Sequence, residues 1–194
     1  MAELIHRPVA VLAATTTPAA LAAKAATTTV PTVFTTATNS VEVGLVASLS
    51  RPGGNVTGAT QLNVEIGPKR LELVRELIPT ATIVGLLVNP TNPAARALSG
   101  GLEAAARNLG LQLDVLHAST ERDIDDAFAT LVERQASALV IVPDALFNSQ
   151  SEQLGALTLR HGLPTIFQYR EFVVAGGLMG YSGSNADSYR WAGN

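Results

Sequence analysis

The sequence predicts a doubly wound α/β protein, and three observations carry that prediction. Short apolar runs alternate with amphipathic stretches along the whole chain, the signature of repeated βαβ units. Two of the runs, "TIVGLLVNP" (82–90) and "SALVIVPD" (137–144), are almost wholly apolar, as strands become when helices cover both faces of a parallel sheet. A glycine-rich corner, "RPGGNVTG" (51–58), separates a short βαβα piece from a longer, nearly complete α/β piece.

The elements follow in order. "PVAVLAA" (8–14) reads as a strand and "AALAAKAAT" (19–27) as a helix, because alanine has high helix propensity and Pro18 suits a first helical turn. "PTVFTTA" (31–37) is the next strand. "SVEVGLVASL" (40–49) puts Val41, Leu45, Val46 and Leu49 on one helical face, with Asn39 or Ser40 as cap. At the corner, Gly53 and Gly54 can take positive φ and Pro52 fixes its own. The corner is either a crossover to a second sheet or a helix-to-strand turn within one. "GPKRLELVRELIP" (67–79) predicts a helix with Leu71, Val74, Leu77 and Ile78 inward and its charges opposite. The run at 82–90 is a strand, and "PAARALSGGLEAAARNLG" (93–110) a helix weakened by Gly100-Gly101 and ended by Gly110. "LQLDVLHA" (111–118) alternates as a strand; "ERDIDDAFATLVERQ" (121–135) is amphipathic through Ile124, Ala127, Phe128, Leu131 and Val132. After the strand at 137–144 come a helix "SEQLGALTLRHG" (151–162), a strand "LPTIFQY" (163–169), a short helix "REFVVAG" (170–176), a last strand "GLMGYS" (177–182) and the opening of a helix at 185–194.

Composition narrows the function. The net charge is −3, with only 15% charged residues, so no basic footprint for nucleic acid exists. There is no cysteine, and His6, His117 and His161 have no metal-ligand spacing; no cofactor is predicted. No apolar stretch reaches the roughly 18 residues that span a bilayer, and "MAELIHRP" lacks the features of a secretory signal. "GYSGS" departs from the G-x-S-x-G nucleophile pattern, and neither GxGxxG nor a Walker-A loop occurs. The chain is not expected to be an enzyme.

In open parallel sheets, ligands bind beyond the carboxyl ends of the strands. Those ends here are polar: they carry Thr15 and Thr16, Thr36, Asn89, Thr91 and Asn92, Ser119, Asp144, Glu171 and Tyr181. Hydroxyls, amides and two acids beside aromatic residues suit a small polar solute. Asp144 follows a buried strand and reads either as a helix cap or as the partner of a ligand ammonium. Asn89, Thr91 and Asn92 read as a turn and cap, a helix start that also attracts an anion such as an α-carboxylate. Glu171 compensates a helix dipole or faces a ligand; Tyr181 is core or cleft wall.

"LVASLSRPGGNVTG", "KRLELVRELIP", "GLLVNPTNP", "EAAARNLGLQLDVLHASTERDIDDAFATL" and "YREFVVAGGLMGYS" closely resemble the substrate-binding proteins of ABC transporters in the tryptophan/tyrosine-binding-like group, over essentially the whole chain. The resemblance implies a type I periplasmic-binding-protein fold: two doubly wound parallel-sheet lobes joined by a hinge of three crossings, with solute clamped between them. It implies a partial first lobe over 1–56, a second lobe over 57–179 and a crossing back over 180–194. "RPGGNVTG" then lies at the first crossing and "GGLMGYS" leads to the second. Family members begin with an export signal and an opening βαβ unit and continue beyond the region matching "YRWAG", so the chain is expected to be truncated at both ends and its first lobe incomplete. The implied location is the periplasm, and the implied partners are a small polar solute, such as an amino acid, and ABC permease subunits; an exposed first-lobe edge predicts dimerisation. Thr38-Asn39-Ser40 stands where relatives carry Gly-Asp-Pro, and "AATTTP" replaces a glycine-rich loop. Asp144 is assigned the ammonium of an amino acid and the helix start near Asn92 its carboxylate. The rival readings are the ligand-sensing core of a transcription regulator, which needs a DNA-binding helix-turn-helix the sequence does not contain, and a fragment that folds without clamping a solute.

Overall fold

In the computed structural model, residues 9–36, 38–61, 66–93, 95–183 and 185–193 are described, those of Ala97, Asn185, Ala186 and Trp191 by backbone alone. The readings of residues 1–8 lie outside them. The chain divides into two units, Met1–Leu62 with Gly183–Asn194, and Asn63–Ser182.

The first unit holds β1 (Leu12–Ala14), α1 (Thr17–Ala26), β2 (Thr32–Thr36), β3 (Val56–Thr60) and α8 (Asn185–Gly193). Its sheet runs β1-β2-β3, all parallel, with Phe34 opposite Ala14 and Gly58. Ala14, Ala20, Phe34, Leu45, Val46 and Val56 form its core, and α8 packs on β2 and β3.

Two expectations fail here. Residues 40–49 are a turn over 40–44 followed by bends, not a helix. Asn39 Oδ1 accepts from Val41 N, and Leu45 and Val46 both donate to Ser40 O. Gly44 at φ +71 then closes the turn, a backbone state that ends helices. Leu45 and Val46 still reach the core, so the apolar spacing was real while the regular helix was not. The corner at 51–58 is the other case. Gly53 and Gly54 have φ of +72 and +76, and the chain turns straight into β3, which pairs with β2. Asn55 explains the tight specification: its Nδ2 donates to Thr27 O and Val30 O, fastening the loop that leads into β2. The corner therefore serves a turn inside one sheet, and the division between units falls after β3 at Leu62 rather than at 56.

The second unit contains α2 (Gly67–Leu77), β4 (Ile83–Val88), α3 (Ala95–Leu109), β5 (Gln112–His117), α4 (Glu121–Glu133), β6 (Ala138–Ile141), α5 (Ala145–Ser149), α6 (Ser151–His161), β7 (Thr165–Phe167), α7 (Arg170–Val174) and β8 (Met179–Gly180). The sheet order is β5-β4-β6-β7-β8, all parallel. Alternation along the central strands sorts two cores. Val84, Leu86 and Val88 of β4, with Ala138 and Val140 of β6, meet Leu71 and Val74 of α2 and Leu98, Leu102 and Ala106 of α3. Leu87, Leu139 and Ile141 meet Ile124, Phe128 and Leu131 of α4 and Leu154 and Leu157 of α6. Helices on both faces explain why these strands read as continuous apolar runs.

On α2 the inward stripe is Gly67, Arg70, Leu71 and Val74, with Ile78 packed beside it. Leu77, expected inside, is 55% exposed. The stripe is rotated from the expected one and includes a charge. On α3, Gly100 and Gly101 are exposed with nothing within 4 Å of an added Cβ. Gly100→Ala and Gly101→Ala are each expected to stabilise the chain by roughly 0.5–1 kcal/mol, read as a higher urea midpoint; a lower midpoint would contradict the open surroundings.

Candidate functional site

In its own chain order the second sheet runs second, first, third, fourth, fifth. Chain leaves β4 over one face and β6 over the other, and a crevice opens where such connections diverge, outside the carboxyl ends of the two strands. The residues that follow β4 and β6 are Asn89–Asn92 and Val142–Asp144.

These residues meet. Asp144 is the N-cap of α5; its side chain accepts from Leu146 N at 2.9 Å. Its Oδ1 also accepts from Asn89 Nδ2 at 2.9 Å, and its Oδ2 from Asn92 Nδ2 at 2.8 Å. Asn89 is held in turn, because its Oδ1 accepts from Thr91 N at 3.0 Å and Thr91 Oγ1 at 2.8 Å, a side chain folding back on its own turn. Asp144 is 8% exposed and Asn89 9%. A carboxylate has about four acceptor positions, and three of Asp144's are filled from within the chain. The cap and the ligand readings of Asp144 are therefore compatible: one acceptor position remains on Oδ2.

Two further buried polar side chains stand at the same edge of the sheet, and sequence reasoning selected neither. Gln168, 2% exposed, follows β7 and donates from Nε2 to Asn148 Oδ1 at 2.6 Å. Arg70, 1% exposed, donates from Nε to Tyr181 O beyond β8 at 3.0 Å. Its Nη2 is buried without a partner among the described residues. Burial pushes the Arg70 guanidinium down to about 10, partly offset by the nearby Tyr169. The available signal was positional: Arg70 lies four residues before Val74 on the apolar stripe, and Gln168 directly ends an apolar strand.

The other expected residues of this unit have separate surroundings. Ser119 N and Oγ, with Thr120 N, donate to Asp123 Oδ2. This closes the capping box of α4 and holds the Asp123 carboxyl below its ordinary range. Ser119 is thereby committed to a helix cap. Glu171 is exposed in the first turn of α7 and lines a pocket of about 730 Å³ with Ser151, Glu152 and Arg170. Tyr181 continues β8 through its N–H to Phe167 O, and its ring is exposed. A second pocket, of about 580 Å³, adjoins the β4 and β5 ends and is lined by Val88, Asn92, Arg96, Ser99 and His117.

In the first unit, Thr15 is exposed and Thr16 caps α1 by accepting from Ala19 N. Thr36 is buried at the end of β2 and donates to Thr38 O, with Ser40 Oγ at 3.2 Å. Ser40 in turn bonds Thr60 Oγ1 at the end of β3, and Thr17 and Thr38 share a hydroxyl contact. The carboxyl edge of this sheet is a hydroxyl network, of which the sequence singled out only Thr36. Among the described residues no group of three or more His, Asp or Glu could hold a metal, and no helix is long and apolar enough to cross a membrane.

Parallel doubly wound sheets with polar carboxyl edges define the class: the fold is that of type I periplasmic binding proteins. The chain belongs to the ABC transporter substrate binding protein family, whose profile matches residues 1–188. It is 31% identical over 166 residues to a tyrosine-binding protein of Clostridioides difficile (strain R20291), covering 85% of this chain and 47% of that protein. Among solved structures it is similar to an ABC domain from Streptococcus pneumonia in complex with L-Trp, with a TM-score of 0.77, 21% identity, and 91% of this chain against 60% of that one. A conserved domain protein from Vibrio cholerae is likewise similar, with a TM-score of 0.77, 24% identity, and 90% against 58% coverage. The chain thus spans about half the length of the curated relative it matches.

Proposed function

We propose that the chain is the solute-binding component of an ABC importer and that its solute is an amino acid, held at the switch point of the second sheet and clamped when the two units close on it. One observation carries this reading. A buried carboxylate, Asp144, stands at the β4/β6 switch point with a single acceptor position left after Asn89, Asn92 and Leu146 are served. A buried carboxylate whose printed donors are all neutral favours a charged one for its last position, and an ammonium supplies it. Asn89, Thr91 and Asn92 position Asp144, and Thr16 and Thr36 offer hydroxyls from the first unit. Family membership supports the transport role, with permease subunits as partners and the periplasm as location. Closure follows if solute binds the closed state better than the open one.

The test is calorimetric titration of the chain with the twenty L-amino acids. Saturable heat with at least one is the expected result. Absence of heat with all of them overturns the amino-acid reading.

A further inference from the structure

Helices α6 and α7 meet closely, and their seam leaves apolar side chains in water. An added Cβ at Gly155 of α6 would lie 2.4 Å from Ala175 O, and one at Gly176 would lie 2.5 Å from Leu159 Cδ1. Leu159 of α6 therefore stands beside the end of α7. It is 69% exposed, and Val174, the last residue of α7, is 76% exposed. Leu178 is exposed too and directly precedes β8, where side chains alternate between faces. Met179 packs into the core shared with β4 and β6, while Gly180 approaches Val173 of α7. Leu178 thus shares the α7 face with Gly180. Single exposed apolar residues are ordinary, but a gathered group marks a contact surface.

Beside this group stand charges that the chain does not use internally. The pocket of about 730 Å³ at Val174 and Ala175 is lined by Glu152 of α6 and by Arg170 and Glu171 of α7. All three are exposed. Among the described residues none of them makes an ion pair or a side-chain hydrogen bond.

We propose that the α6–α7 face docks a second copy of the chain. The dimer is isologous: Val174 and Leu159 form its centre, and Arg170 of each copy meets Glu152 or Glu171 of the other. Charge complementarity selects this occupant. A two-fold interface needs a patch that complements itself, and an apolar centre beside both signs of charge does so. A partner of one sign would meet its own sign here. The apolar centre supplies the association, and the rim pairs fix the register while adding little affinity. So small a centre makes a weak dimer, with a dissociation constant of roughly 10–100 μM. The first unit offers a poorer edge, since β1 is three residues long and short edge strands template badly. The inference is independent of the solute.

Sedimentation velocity of the whole chain, from about 1 to about 300 μM, tests it. The expected result is a sedimentation coefficient that rises with concentration from monomer to dimer. A monomer throughout overturns the proposal. Val174→Asp is expected to stay monomeric at every concentration, with a urea midpoint near that of the wild type because the site is exposed. Arg170→Glu should weaken the dimer at least tenfold, and so should the double variant Glu152→Arg with Glu171→Arg. Mixing these two should restore association to at least the wild-type level, since each carries the sign that the other lacks. Loss of packing alone does not predict that rescue. A dimer retained in Val174→Asp, or a mixture that stays monomeric, overturns the proposal. A dimer lost in Val11→Asp, beside β1, but kept in Val174→Asp belongs to the first-unit edge and overturns it as well.

Discussion

Asp144→Ala is expected to abolish amino-acid binding and to destabilise the chain by about 3 kcal/mol. The carboxylate accepts from Asn89 Nδ2, Asn92 Nδ2 and Leu146 N. Removing it leaves donors at a buried edge without an acceptor and α5 without its cap. Each orphaned donor costs about 1–3 kcal/mol and a lost N-cap about 1 kcal/mol, but neighbouring losses overlap and do not sum. Asp144→Asn separates structure from binding. Its Oδ1 can still cap Leu146 N and accept from one asparagine, so most of the stability should remain, while the charge that meets an ammonium is gone. Calorimetry and urea unfolding followed by circular dichroism read the two effects. Unaltered binding in both variants would reduce Asp144 to a helix cap and remove the basis of the proposed site.

Gly155→Ala is expected to lower stability by about 2 kcal/mol, against the usual direction of that exchange. In an exposed helix, alanine is better than glycine by about 1 kcal/mol, and that gain is predicted above for Gly100 and Gly101. At Gly155, in α6, an added Cβ would lie 2.4 Å from Ala175 O, 2.5 Å from Ala175 C and 2.6 Å from Ala175 Cβ. Backbone cannot rotate aside as a side-chain end can, so overpacking at the upper end of its usual range, about 3 kcal/mol, outweighs the propensity gain. Ala175 caps α7, whose displacement would disturb the neighbouring Gln168, so affinity for solute should fall as well. Urea unfolding of Gly155→Ala beside Gly100→Ala gives opposite signs if this is right; two stabilised variants would contradict the close approach of α6 and α7.

The second unit was readable because its physics is periodic. Strands covered on both faces leave apolar runs, as at 83–88 and 138–141, and α4 shows its buried Ile124, Ala127, Phe128 and Leu131 as a helical stripe. The strand-end rule found the cluster of Asp144, Asn89, Thr91 and Asn92, because carboxyl ends can be counted off without knowing what bonds to what. It also chose Ser119, which turns to Asp123 in the capping box of α4, and Glu171, which lines a separate pocket with Ser151, Glu152 and Arg170. What sequence did not yield depends on longer-range partners. β3 is "VTGAT", weakly apolar, and is a strand only because β2 lies beside it. Residues 40–49 have helical spacing, yet Gly44 takes a positive φ and turns the chain back. Arg70 looked like surface charge, and its place on the buried stripe is fixed by Tyr181, far along the chain.

That same pairing has a consequence for handling the molecule. Arg70 lies near the first residues of segment 63–182 and Tyr181 next to its last, and a single guanidinium fastens them together. A unit tied in this way is expected to keep its interior when it is produced alone, which urea unfolding of the isolated segment beside the whole chain checks.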